Sequence, residues 1–415
     1  MKKLIFDAKD SLLDNGLRVI TIKKETQIMS IQIGVSIGAM YESIEEKGIS
    51  HFIEHMLFKG TAFRSNETLN NDLEFLGGEY NAYTDYKATI YSISALEEEI
   101  SSSLDLLSDM IINSSFKEEE IERERGVILS EARSSLDDVE NLTFKKLNEI
   151  AFVNSPLRWD IIGEEKNIKS FNREQLIRFY NKFYTPQNSI LVMVSSLDHS
   201  EALSKINSKF GSWKGEFSNK NSIIVEKNNP TIKTTIKRDI EQSSIAYLYT
   251  FHDLPKEKEL PLKILNHKLG ESANSILFRE LREKLGLAYD VYTDLDMTPQ
   301  IKTMAIYTAV SEENISSAME AIDRCIEDIK NKKIQFNDDT VNLMSKVHKT
   351  AVISTIEDST DLANYVLHQA LEKENIHAYI EDMKALENIS SKSIYDVANI
   401  VLENPTIHIL KNEID

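Results

Sequence analysis

Two widely separated stretches of this chain spell nearly the same pattern. LEFLGGEYNAYTD, starting at Leu73, lies against REKLGLAYDVYTD, starting at Arg282, pairing Leu76 with Leu285, Gly77 with Gly286, Tyr80 with Tyr289 and Thr84 with Thr293. In the same order, FKEEEIERERGVILSE from Phe116 lies against FNDDTVNLMSKVHKTA from Phe336, and HFIEHMLFKG from His51 against PLKILNHKLG from Pro261. The period is roughly 210 to 220 residues. Solenoid and propeller repeats recur every 20 to 50 residues or so, because each unit is a single supersecondary motif. A period this long is a whole domain written twice. At 415 residues the chain also exceeds the size at which one hydrophobic core usually stops growing. Two homologous domains are therefore expected, residues 1–215 and 231–415, joined by a linker at 216–230. The linker falls in SWKGEFSNKNSIIVEKNNP, rich in Gly, Ser, Asn and Lys and closed by Pro230, a composition with little to bury.

Turn-bounded strands and long amphipathic helices occur in both halves. Asn15-Gly16, between DSLLD and LRVITI, reads as a tight hairpin turn. SIQIGVSIG puts Ile31, Ile33, Val35 and Ile37 at every second position, the period of a half-buried strand. The expected class is α+β, each domain a mostly antiparallel sheet packed with helices.

Lys and Arg number 48 against 67 Asp and Glu, a formal net charge of −19. Binding a phosphate backbone needs basic patches that displace counterions, so nucleic acid is not an expected partner. Cys325 is the only cysteine, which rules out an intrachain disulfide and any Cys-rich zinc module. The opening MKKLIFDAKD has three apolar residues between Lys3 and Asp7, too few for a signal-peptide core, and no later run reaches transmembrane length. A soluble chain in a reducing, cytoplasmic setting with no membrane partner is expected.

The chemistry concentrates in GISHFIEHMLFKG, Gly48–Gly60. On a helix His51 and His55 stand one turn apart, about 40° around the axis, with Glu54 on the adjacent edge of the same face. Two imidazoles so spaced can grip one metal ion, while the carboxylate holds a water without being a ligand. His-x-x-Glu-His is the inverted zinc motif. Phe52, Ile53, Met56, Leu57 and Phe58 surround the trio, and burying two imidazoles and a carboxylate is costly without partners, which a metal would supply. A catalytic zinc takes three protein ligands and leaves a fourth position open, so one ligand is still needed. In FKEEEIERERGVILSEARSS the residues Ile121, Glu124, Ile128 and Glu131 follow the 3-4-3 rhythm of one helical stripe, which sets two acids on an apolar face. Glu118, Glu119, Glu120 and Glu122 read as a solvated face. Spacing does not choose between Glu124 and Glu131 as the third ligand.

At this point the sequence resembles the pitrilysin and insulysin clan of inverted-motif zinc peptidases, most closely the branch of mitochondrial processing peptidase and its bacterial relatives. The resemblance covers nearly the whole chain. Its marks are HFIEHMLFKGT, ERGVILSE with 76 positions from His55 to Glu131, GGEYNAYT from Gly77, and RELREKLGLAYDVYT in the second half. It implies that His51, His55 and Glu131 bind one zinc per chain, that Glu54 is the general base, and that Glu124 supports the site without holding the metal. It also implies that Asn81 and Ala82 lie on an edge strand that pairs with the substrate backbone, and that Arg282 and Tyr289 reach the bound peptide from the second half. The fold it implies sets the two domains face to face as a clam shell around a chamber, which admits unfolded peptides. The assembly it implies is a homodimer.

The repeat then becomes informative about function. His51, Glu54 and His55 stand opposite Pro261, Ile264 and Leu265, and Glu124 and Glu131 opposite Met344 and Ala351, so every metal-site residue has an apolar counterpart. The second half cannot bind this metal, and His267 reads as an ordinary helix histidine. With the resemblance, this implies that one half carries chemistry and the other recognition, and the expected activity is that of a zinc-dependent endopeptidase whose Glu54 moves the water's proton to the leaving amine. The rival reading is a non-catalytic, peptide-binding subunit of a processing peptidase, which would have no chemical need to keep the intact set. A non-peptide metallohydrolase is weakened by the lack of a phosphate-cradling glycine loop.

Overall fold

The computed structural model describes residues 6–216 and 219–412. Met1–Ile5 of the opening segment and Phe217 and Ser218 of the expected linker lie outside the described residues. The first sheet contains β1 (Asp7–Leu12), β2 (Arg18–Lys23), β3 (Ile28–Val35), β4 (Glu79–Thr84), β5 (Thr89–Leu96) and β6 (Ser189–Ser195), in the order β1-β2-β6-β3-β5-β4. The second contains β7 (Ile232–Lys237), β8 (Ser243–Thr250), β9 (Ala288–Asp296), β10 (Thr303–Val310) and β11 (Thr406–Asn412), in the order β7-β11-β8-β10-β9. Without β1 the two orders are the same. In each, one pair is parallel, β2 with β6 and β7 with β11, and the others are antiparallel. The duplication legible in the letters is thus a duplication of topology, and the fold is the expected α+β.

The helices of the first half of the chain are α1 (Ile49–Leu57), α2 (Asn66–Phe75), α3 (Ile100–Asn113), α4 (Glu118–Asp137), α5 (Val139–Ala151), α6 (Glu165–Ser170), α7 (Arg173–Phe183) and α8 (His199–Phe210). Those of the second are α9 (Glu259–Asn266), α10 (Ile315–Lys330), α11 (Asp338–Glu357), α12 (Ser359–Leu371), α13 (Ala378–Ala385) and α14 (Ser391–Val401). The repeat extends to capping. Asp138 accepts from the Asn141 N–H at the start of α5, and Asp358 accepts from the Thr360 and Asp361 N–H groups at the start of α12. Among the described residues no helix is long and apolar enough to cross a membrane.

Packing does not follow a single cut at the linker. One compact unit takes the chain up to Ala132, then Trp159–Ser222 and Thr350–Tyr379; the other takes Arg133–Arg158, Ile223–Lys349 and the chain from Ile380. α5 therefore packs with the second sheet, where the Phe144 ring stacks on Tyr307. α12 packs with the first, and this corrects the expectation of a half-buried β3. Every residue from Met29 to Val35 is buried, on both faces. Gln32 Nε2 donates to the Thr360 carbonyl (3.0 Å), and a Cβ at Gly34 would meet the Leu371 and Leu367 methyls at 3.0 and 3.2 Å. Period-2 alternation reports only the face that meets the local core, and the helix covering the other face lies more than 300 residues further along the chain.

The β1–β2 hairpin closes with Leu13 N–H donating to the Leu17 carbonyl (2.9 Å), which leaves Asp14, Asn15 and Gly16 as the loop. Gly16 sits at φ +90°, the left-handed position such three-residue loops require. β4 is one edge of the first sheet, opposite β1, and β9 one edge of the second, opposite β7; β4 and β9 each follow a glycine in the left-handed region, Gly77 at φ +64° and Gly286 at φ +62°.

Candidate metal centre

α1 drives Ile49, Phe52, Ile53, Met56 and Leu57 into the first hydrophobic core, which leaves His51, Glu54 and His55 on its other side. The His51 and His55 ring centroids are 4.7 Å apart. α4 is anchored by its own apolar stripe, Ile121 and Ile128, both fully buried. That anchoring brings both glutamates of the stripe to the histidines, in different ways. Glu131 presents its carboxylate to the two outer ring nitrogens, Oε1 3.6 Å from His51 Nε2 and Oε2 3.5 Å from His55 Nε2. Glu124, only 3% exposed, reaches the back of one ring: Oε2 is 3.2 Å from His55 Nδ1 and Oε1 is 3.0 Å from Lys59 Nζ. With a carboxylate at Nδ1, that nitrogen keeps its proton, and a metal at His55 Nε2 would take the place of the proton that Nε2 shares with Glu131. Among the described residues His51, His55 and Glu131 form a group placed to hold a metal ion, with one ligand atom from each all within 4.8 Å of one another.

The electrostatics favour a cation at this point. Burial, helped by repulsion from His55, pulls the His51 imidazole down to about 4, so it is a neutral lone-pair donor near pH 7. Burial would lower His55 too, but the hydrogen bonds that its ring donates to the Glu124 and Glu131 carboxylates outweigh it and push His55 up to about 9. The contact with His55 holds Glu131 below the usual carboxylate range. For Glu124 burial acts upward and is outweighed by His55 and Lys59, so it too stays ionised. Burial raises Glu54, opposed by the Thr84 hydroxyl, which donates to Glu54 Oε2 at 2.6 Å.

The donor set fits zinc. Nitrogen and oxygen ligands about 2.0 to 2.2 Å from a tetrahedral zinc lie roughly 3.3 to 3.6 Å from one another, which is the spacing from Glu131 to both rings. The two glutamates should then respond differently. Glu131→Gln should release zinc readily, whereas Glu124→Gln should weaken zinc affinity or activity by roughly 10- to 100-fold, the usual scale for a partner that orients a ligand. Competition with a zinc indicator measures both, and the reverse order would exchange their roles.

In the second half most of the aligned positions are core. Pro261 is buried, Ile264, Leu265 and Met344 belong to the second hydrophobic cluster, and only Ala351, opposite Glu131, is exposed; His267 Nδ1 lies 3.5 Å from Glu271 one turn on. Arg282 and Tyr289 lie in this unit, beside each other: the guanidinium carbon is 4.7 Å from the Tyr289 ring centroid and 4.9 Å from that of Phe278. Asn81 and Ala82 are on the free-edge strand β4, where the Asn81 side chain accepts from the Ala82 N–H (2.9 Å). Sequence reasoning gave no role to Thr84 or Lys59, though Thr84 stood in the repeat and Lys59 was the last residue but one of the motif segment. A hydroxyl and an amine carry no pattern until the fold shows which carboxylate each one holds.

Comparisons with known proteins agree with this geometry. Residues 18–165 match the family described as Insulinase (Peptidase family M16), and residues 170–341 the Peptidase M16 inactive domain. The chain is 34% identical over 310 residues to an uncharacterized zinc protease of Rickettsia felis, covering 74% of each. It is 32% identical over 255 residues to the mitochondrial-processing peptidase subunit beta of Dictyostelium discoideum, covering 61% of this chain and 54% of that one. A protease from Helicobacter pylori shares the fold, with a TM-score of 0.90 at 21% identity over 98% of this chain and 100% of its own.

Proposed function

The chain belongs to the insulinase family, peptidase family M16, and from that premise we propose that it is a zinc-dependent endopeptidase that hydrolyses unfolded peptides. The observation that carries the reading is the convergence of His51, His55 and Glu131 beside the buried Glu54, which touches Thr84 and is free of the ligand group. His51 Nε2, His55 Nε2 and Glu131 would hold the zinc. When bound, zinc supplies Lewis acidity that polarises the scissile carbonyl and acidifies a water. Glu54 is the general base: Thr84 fixes its Oε2, which leaves Oε1 to take the proton from the attacking water and hand it to the leaving amine. Glu124 and Lys59 hold the His55 ring in place. Arg282 and Tyr289 are proposed to donate hydrogen bonds to substrate carbonyls or the developing oxyanion. The free edge of β4 at Asn81 and Ala82 is proposed to take the substrate as an added strand, which demands an extended and therefore unfolded backbone.

The alternative of a non-catalytic, peptide-binding subunit of a processing peptidase is disfavoured by the complete set of ligands, base and supporting acid. Since one polypeptide holds all of these parts, a homodimer in the cytoplasm completes the proposal. The test is incubation of the zinc-loaded chain with a mixed library of unfolded peptides, read by mass spectrometry beside a chelated control. Internal cleavages confined to the zinc-loaded sample are expected. An unchanged library, with turnover of an ester or phosphoester dye instead, would replace the peptidase reading.

A further inference from the structure

The zinc-motif helix starts at a residue that cannot cap it. Gly48, the N-cap of α1, sits at φ +96°, and a Cβ there would meet the Ile162 carbonyl oxygen at 2.5 Å and Gly163 Cα at 2.8 Å. The space excludes Ser, Thr, Asp and Asn, the residues that normally satisfy the first amides of a helix, and the left-handed backbone adds to the cost. Those amides still need acceptors, because Lys47, Gly48, Ile49, Ser50 and His51 are all buried.

Glu42 supplies two of them from outside the helix. Its Oε2 accepts from the Gly48 N–H (2.9 Å) and its Oε1 from the Ser50 N–H (2.8 Å). The side chain is 5% exposed, beside the equally buried Lys47, whose Nζ donates to the Ala39 carbonyl (2.7 Å). Burial pushes the Glu42 carboxyl up to about 7, against the pull of the two amides and of Lys47. A carboxylate at this position also meets the positive end of the helix dipole. One of its two bonds lands on the residue immediately before His51, so it fixes the turn from which that imidazole projects.

We propose that Glu42 is a positioning residue for the metal centre, replacing the missing cap of α1 and orienting the first turn so that His51 Nε2 meets the same point as His55 Nε2 and Glu131. The proposal rests on reading His51 as a ligand, and its test keeps the two apart. Glu42→Gln keeps the size but turns one acceptor into a donor that faces an amide N–H. In the full chain, folded by circular dichroism and titrated with zinc against a chromophoric indicator, it should lose about 10-fold in affinity, the low end of what misorienting a ligand costs. With zinc saturating, kcat should fall while KM stays, and Glu42→Asp, which keeps both acceptors on a shorter arm, should recover part of the loss. If Glu42→Gln does not fold, Glu42→Asp carries the test by itself: with both acceptors drawn back on a shorter arm it should show a smaller loss in the same direction. A folded variant with wild-type zinc affinity and wild-type kcat would overturn the proposal, whatever its melting temperature. His51→Ala in the same titration tests the ligand reading alone: wild-type affinity there removes that reading and the proposal with it. Loss there, beside wild-type affinity in Glu42→Gln, removes only the proposal.

Discussion

Glu54→Gln is expected to fold, to carry zinc at the wild-type level, and to lose peptide cleavage by several orders of magnitude. The substitution is nearly isosteric, and its amide oxygen can still accept from the Thr84 hydroxyl that holds Glu54 Oε2 at 2.6 Å. Glu54 is not in the ligand group, so metal affinity has no reason to change. What disappears is the ability to carry a proton, and a positioned acid or base supplies about 10² to 10⁴-fold in rate. Burial holds the Glu54 carboxyl above the usual carboxylate range, nearer the working pH, which suits it to that task. Kinetics on a quenched-fluorescent peptide, with zinc measured on the same sample, decide the matter. Cleavage near the wild-type rate in a zinc-replete variant would sink the proposed mechanism.

Tyr289→Phe should lower kcat by about 10² to 10³-fold, the scale for losing one oxyanion donor, with zinc content unchanged. The structure makes this substitution a clean one. The Arg282 guanidinium lies over both the Tyr289 ring and the Phe278 ring, and phenylalanine at position 289 preserves its contact while deleting only the hydroxyl. Arg282→Ala should behave similarly and raise KM as well, because a guanidinium fork can hold substrate carbonyls in the ground state too. Wild-type kcat in a folded Tyr289→Phe would take the hydroxyl out of the chemistry. A chain ending near Pro230 cannot replace these point variants as a test of the second half. It would lose α12, whose Leu362, Val366 and Leu367 are fully buried. At about 1.5 to 3 kcal/mol each, that loss is comparable with the whole stability of a typical domain, about 5 to 15 kcal/mol.

How much of this was legible in the sequence follows from the range over which each signal acts. The zinc motif and the two-glutamate stripe are local helical patterns, and the fold preserves both, with Ile121 and Ile128 anchoring the helix that brings Glu124 and Glu131 to the histidines. The duplication was legible because it is written in letters, and the two sheets repeat it strand for strand. Spacing left Glu124 and Glu131 equivalent, since it says which face a residue shares but not which ring nitrogen it will meet; the distances to Nδ1 and Nε2 distinguish them. The exchange of α5 and α12 between the packing units was invisible, because it pairs segments hundreds of residues apart that carry only ordinary amphipathic patterns. Glu42 was invisible for a related reason. It lies six residues before a glycine, a spacing that matches no capping motif, and only the approach of Gly163 shows why the cap has to come from there.

The proposed activity depends on a metal held by His51, His55 and Glu131. The most direct measurement is elemental zinc and peptide cleavage determined together on one preparation, for the wild type and for His55→Ala. The expected result is about one zinc per wild-type chain, with cleavage abolished by chelation and restored by added zinc, and little zinc and no cleavage in His55→Ala. Full zinc and wild-type cleavage in folded His55→Ala would contradict it.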